Sequence, residues 1–128
     1  MLCRMIHITH DEAPTFEAGG TTAIGYASPS RGASDTSVWR LELAPGSASP
    51  VHSLDREEVF VALAGTAVFT AAGTEHTVRP GDCMIATPGT PFQLRVAGDE
   101  PFRAVACMPA GGKATVAGGD PVVPPWAA

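Results

Sequence analysis

The sequence predicts an all-β barrel or sandwich, and three observations carry that prediction. Turn signals recur about every 8–12 residues, at Gly19-Gly20, Ser28-Pro29, Pro45-Gly46, Gly65, Gly73, Pro80-Gly81, Pro88-Gly89, Gly98-Asp99 and Pro109. The runs between them are short and β-prone, and several alternate apolar with polar residues. No segment shows the apolar spacing of a helix.

Taken in chain order, strands are expected at 22–27, 36–43, 50–54, 58–64, 66–71, 74–79, 82–87, 92–96 and 102–108. In Trp39-Arg40-Leu41-Glu42-Leu43 the apolar residues fall on one face and the charges on the other, and Phe92 to Val96 repeats that pattern. The run Val59 to Ala64 is apolar on both faces, so this strand is expected to be covered on both sides. Gly65-Thr66 and Ala72-Gly73-Thr74 read as tight hairpin connections. His7 and His10 are expected on an exposed N-terminal strand beside Asp11-Glu12, and His76 on a polar hairpin. The segment 111–128 is rich in Gly and Pro and is excluded from the centre of a sheet. It is read as a loose tail or as an extended strap whose Trp126 docks on the barrel, with docking favoured because a large aromatic gains from burial.

Composition narrows the function. The 128 residues form one domain's worth of chain, 1–128, with 45% hydrophobic content, too apolar for intrinsic disorder. A net charge of −5 with no basic cluster argues against nucleic acid and anionic membrane surfaces as partners. No apolar run approaches the ~20 residues of a membrane-spanning helix. The N-terminus lacks the apolar stretch of a signal peptide, and Met5 is an alternative start. Cys3, Cys83 and Cys107 cannot all pair and are expected to be reduced thiols in a cytoplasmic protein. The absence of Asn and the single Lys, Lys113, point to the codon bias of a GC-rich bacterial genome.

Two segments carry a resemblance. Residues 46–65 place Gly46, His52, Glu58 and Gly65 in register with G-x5-H-x-H-x3-E-x6-G, with Leu54 at the second His. Residues 81–96 follow G-x5-P-x-G-x2-H-x3-N through Gly81 and Gly89, with Thr87 at the Pro, Phe92 at the His and Val96 at the Asn. The chain thus resembles the cupin superfamily, and the resemblance implies a cupin jelly-roll β-barrel. It also implies a homodimer, to which the doubly apolar strand 59–64 adds support.

The family's usual centre is three His and one Glu around a transition metal. Here only His52 and Glu58 stand at those positions, and Leu54 and Phe92 place hydrocarbon where ligands belong. Metal sites of this kind need at least three protein ligands. No cofactor is therefore expected; a divalent transition metal, if bound, would use His52 and Glu58, with His7, His10, Gln93 or a Cys recruited.

Three readings of His52 and Glu58 stand at this point. They are a catalytic acid–base pair in an apolar cavity, or mutually satisfied residues of a non-catalytic binding pocket, or ligands of a metal-dependent dioxygenase with an atypical ligand set. The first is the leading reading, because burial and a neighbouring charge bring such groups into play near neutral pH. It describes a cyclase, isomerase or dehydratase acting on an apolar or aromatic oxygenated small molecule of secondary metabolism. Trp39, Leu54, Phe60, Phe92 and Leu94 are expected to wall the pocket, since core and cavity wall coincide in a small barrel. Asp55-Arg56-Glu57 reads as a solvated cluster, and Cys83 and Cys107 as small strand hydrophobes without an activating base. The facing of Cys83, Cys107, Arg40 and Gln93 is open from alternation alone.

Overall fold

The computed structural model describes residues 4–128; Cys3 lies outside them. The strands are β1 Thr15–Ala18, β2 Thr21–Ala27, β3 Thr36–Leu43, β4 His52–Leu54, β5 Glu58–Ala64, β6 Thr66–Ala71, β7 Thr74–Val78, β8 Cys83–Ala86, β9 Phe92–Ala97, β10 Phe102–Pro109 and β11 Ala114–Val116. They form two antiparallel sheets, ordered β1-β2-β3-β10-β5-β8 and β11-β4-β9-β6-β7. Two short 3-10 turns, Pro29–Arg31 and Pro125–Ala127, are the only helical elements among the described residues. This is a jelly-roll β-barrel, the fold class expected.

The alternation that predicted the strands is what closes the barrel. Along β3 and β10 every second residue is buried, so Trp39, Leu41 and Leu43 meet Phe102, Ala104, Ala106 and Met108 inside. From the other sheet Phe69, Phe92 and Leu94 complete an aromatic and aliphatic core. Phe60, Phe69 and Phe92 interlock, with centroids 5.2 to 6.4 Å apart. The motif glycines sit where the chain reverses. Gly65 has φ 73°, and a Cβ there would also run into the Pro101 carbonyl oxygen, so no other residue fits between β5 and β6.

Several expectations change. His7 and His10 are exposed but not on a strand; Glu12 and Ala13 donate backbone N–H to the Thr9 carbonyl, and that turn ends any extended run. Strand β5 is covered on one side only: Phe60 and Ala62 face the core, whereas Val61 and Leu63 are 42% and 51% exposed. Hydrophobicity on both faces records a composition, and only one face of this sheet finds a partner within the chain. Strands β1 and β11 were not anticipated, because each is short and at a sheet edge where hydrogen bonding outweighs burial.

Beyond β11 the chain runs back across the barrel. Ala114 and Val122 exchange two backbone hydrogen bonds. The buried Ser37 hydroxyl donates to the Ala127 carbonyl at 2.7 Å, and the Arg31 guanidinium donates to the Trp126 carbonyl at 2.9 Å. Gly25 gives Arg31 and Trp126 room, since a Cβ there would strike the guanidinium. Trp126 packs on the core and Ala127 is fully buried.

Candidate functional site

A cavity of about 280 Å³ opens between the sheets and the segment 122–126. The six-stranded sheet supplies Trp39, Leu41, Leu43, Glu58 and Phe60, and the five-stranded sheet supplies His52, Leu54 and Leu94. Val122, Pro124, Pro125 and Trp126 form the remaining wall. Of the five residues expected to wall the pocket, Trp39, Leu54, Phe60 and Leu94 do so. Phe92 is buried beside it and lines instead a smaller cavity of about 110 Å³, together with Phe60, Phe69 and His76. The rings of Phe60 and Phe92 thus separate two chambers.

His52 begins β4 and lies directly across from Phe92 of β9 in the register. Its ring packs on that of Phe92, with centroids 4.4 Å apart. Its Nδ1 lies 2.8 Å from the Pro50 carbonyl oxygen. A carbonyl only accepts, so Nδ1 carries the hydrogen, and in the neutral ring Nε2 holds the free lone pair. The Thr87–Thr90 turn of the second motif secures this end of the barrel, where the Gly89 N–H donates to the Leu54 carbonyl at 2.7 Å.

Glu58 begins β5 opposite Ala86 and points inward, 6% exposed. Its carboxyl makes no hydrogen bond and no ion pair with another described residue. Burial alone pushes its pKa up to about 8, so at neutral pH it is a carboxylic acid with a proton to donate. The expectation that His52 and Glu58 satisfy each other is corrected here: the ion pairs among the described residues are Arg95–Glu75 and Arg103–Glu42, both at the surface. The two groups line one cavity, His52 held by the Pro50 carbonyl and Glu58 without a polar partner among the described residues. Proximity along the motif could not reveal this, because the Pro50 carbonyl competes for the imidazole.

The remaining candidates face elsewhere. Arg40, Cys107 and Cys83 lie on the outer face of the six-stranded sheet, at register positions beside Val105, Val59 and Val61 respectively. Burial raises the Cys107 thiol pKa, and Glu58, Cys83 and Glu57 raise it further, which disfavours the nucleophilic thiolate. Gln93 turns out of the barrel and donates to the Ser49 carbonyl at 2.9 Å. The residues that sequence reasoning missed are those of the far wall, Pro124 to Trp126; the signal available was the lone Trp in a Pro-rich segment.

A metal was tested against the donors present. Among the described residues no three His, Cys, Asp or Glu side chains gather in one place. Beside His52 and Glu58 the other two motif positions are Leu54 and Phe92, buried hydrocarbon with no lone pair to offer. This donor set falls short of the three ligands such a centre needs.

The family model described as Cupin domain matches residues 39–108. No curated protein sequence matches the chain. Among solved structures, the chain is similar to the polyketide cyclase RemF from Streptomyces resistomycificus, with TM-score 0.76, 17% identity, and 85% of this chain and 82% of that one covered. It is similar to a sugar phosphate isomerase from Silicibacter pomeroyi, with TM-score 0.68, 22% identity and coverage of 80% and 68%. It is also similar to a salicylate 1,2-dioxygenase from Pseudaminobacter salicylatoxidans, with TM-score 0.70, 18% identity and coverage of 84% and 33%, so it spans about a third of that protein. At these identities the likeness is one of fold.

Proposed function

The chain belongs to the cupin family, and on that premise we propose that it is a small-molecule enzyme working by proton transfer, of cyclase, isomerase or dehydratase type. The carrying observation is the division of labour in the cavity. Glu58 is buried and protonated, while His52, its Nδ1 tied to Pro50, presents Nε2 as a base. A proton donor and an imidazole with a free lone pair in one cavity can serve one reaction as acid and base.

The step is proton abstraction beside a carbonyl. His52 Nε2 takes a proton from the α-carbon, and the C–H pair becomes the C=C bond of an enol. The carbonyl π pair takes up the Glu58 proton, leaving Glu58 a carboxylate. The imidazolium proton delivered to a different carbon gives isomerisation. Attack of the enol carbon on a second carbonyl of the same molecule, whose oxygen takes up its π pair and that proton, closes a ring. Loss of a β-hydroxyl as water, its oxygen leaving with the C–O pair and that proton, gives dehydration. In each case the enol O–H returns its proton to Glu58 as the carbonyl re-forms. The apolar walls exclude water and strengthen each of these contacts.

The test is hydrogen–deuterium exchange at the methyl group of 2-acetonaphthone in D2O, followed by proton NMR. The native chain should accelerate exchange, and His52→Ala and Glu58→Gln should not. No acceleration by the native chain would leave a non-catalytic binding module as the reading.

Further readings accompany this one. A homodimer formed through the outer face of β5 and β8 is supported by exposed Val61, Leu63 and Ile85. A cytoplasmic location is supported by the free thiols Cys83 and Cys107. A role in secondary metabolism draws on the likeness to a polyketide cyclase.

A further inference from the structure

Among the described residues, His52 and Glu58 are the ionisable side chains that line the cavity, and no Lys or Arg does. Arg31 lies behind the segment 122–126 with its guanidinium bound to the Trp126 carbonyl. Arg40 and Arg103 are on the outer sheet face, and Arg103 is paired with Glu42. Lys113 is exposed and lines neither cavity. Even the rim is hydrocarbon, where Val116 and Val122 stand 46% and 57% exposed.

An anionic ligand entering this space would give up its water with no Lys or Arg to replace it, and Glu58 in the wall is itself an acid. Phosphate and carboxylate recognition depends on Arg or Lys donors, or on backbone N–H clusters at helix N-termini, and this cavity has no such element. Size adds a second limit. A cavity of about 280 Å³ is roughly twice the ~150 Å³ space that holds one benzene ring. Trp39, Phe60 and Trp126 all line this space, and its volume suits a flat molecule of about two fused rings.

We infer that the cavity selects an uncharged two-ring aromatic ketone or phenol and rejects carboxylates and phosphates. The ligand oxygen accepts the Glu58 proton as a hydrogen bond, and the rings fill the space between the indoles. This rests on the proposed function only for the placement of that oxygen; selection against anions follows from the lining alone.

The test pairs two probes of the same shape, 2-acetonaphthone and 2-naphthoate, which differ by a methyl group in place of a charged oxygen. Binding is measured by tryptophan fluorescence quenching at pH 7, without reference to turnover. The ketone should bind at least about tenfold more tightly than the carboxylate. His52→Gln, which removes the one lining ring able to become a cation, should keep that preference. Val116→Lys, at the exposed rim, should strengthen naphthoate binding several-fold relative to the ketone. Equal or tighter binding of naphthoate, failure of the ketone to bind, or no gain from Val116→Lys would overturn the inference. A ketone that binds selectively yet shows no catalysed exchange would overturn the proposed function instead.

Discussion

The imidazole of His52 rests on the ring of Phe92, centroids 4.4 Å apart, across a β4–β9 pair in which the two Cα positions face each other. In the family motif Phe92 stands at the position of a metal-binding His. The contact therefore puts an apolar ring where the motif has a ligand, and Pro50 and Phe92 orient the His52 ring.

Restoring that His should reverse the exchange. Leu54→His with Phe92→His completes three His and one Glu at motif positions, and this double variant should bind Co2+ near one equivalent. Tetrahedral or five-coordinate Co2+ absorption is the readout, compared with the native chain, which is expected to hold well under one equivalent after dialysis. Stoichiometric, dialysis-resistant metal in the native chain that vanishes in His52→Ala would contradict the two-ligand reading.

Glu58 should make the fold weaken as pH rises. Its pKa is raised by burial from 4.5 in the unfolded chain to about 8, so the native state holds a proton that the unfolded state has released. Its stabilising share is complete below about pH 4.5 and is lost as pH climbs through about 8, an effect on the order of 5 kcal/mol. Urea denaturation between pH 5 and 8 should show this slope in the native chain and a flatter one in Glu58→Gln. Equal slopes would mean that Glu58 is solvated.

Activity should follow the same proton. If Glu58 is the acid, the rate falls above about pH 8 as the carboxyl ionises. Glu58→Gln and His52→Ala should each lower the rate about 10²–10⁴-fold with ligand binding retained. A double variant with full turnover would place the chemistry elsewhere.

The barrel and its two motifs were legible in the sequence because strand alternation and the positive-φ glycines act locally. Gly46, Gly65, Gly81 and Gly89 all adopt φ between 73° and 91°. His52, Glu58 and most pocket walls were legible through motif register and alternation. The Pro50 carbonyl that claims the His52 ring was not, because a side-chain-to-backbone bond leaves no spacing signature. Nor was the open face of β5: Val61 and Leu63 look like core residues until the neighbouring strands show that nothing in the chain covers them.

That face gives the assembly prediction. Sedimentation should find a dimer, and Leu63→Glu should convert it to a folded monomer, since Leu63 makes no core contact to lose. A native monomer at high micromolar concentration would rule the homodimer out.

The wall at 122–126 should carry measurable stability. Ser37→Ala leaves the buried Ala127 carbonyl without its donor, at a cost of about 1–3 kcal/mol. Deleting 120–128 should destabilise the chain by at least a couple of kcal/mol through the loss of Trp126 and Ala127 burial. An unchanged denaturation midpoint after the deletion would mean that this segment contributes nothing.

The bond from Ser37 to Ala127 joins positions 90 residues apart. Contacts of such separation carry a high loop-closure cost and tend to consolidate late in folding. The two sheets have their own core without the segment, so a barrel with every long strand paired still lacks one side of its binding chamber. Maturation of the chamber is thereby uncoupled from formation of the scaffold. A ligand that touches Trp126 binds only the docked segment and therefore adds its binding free energy to the closed chamber.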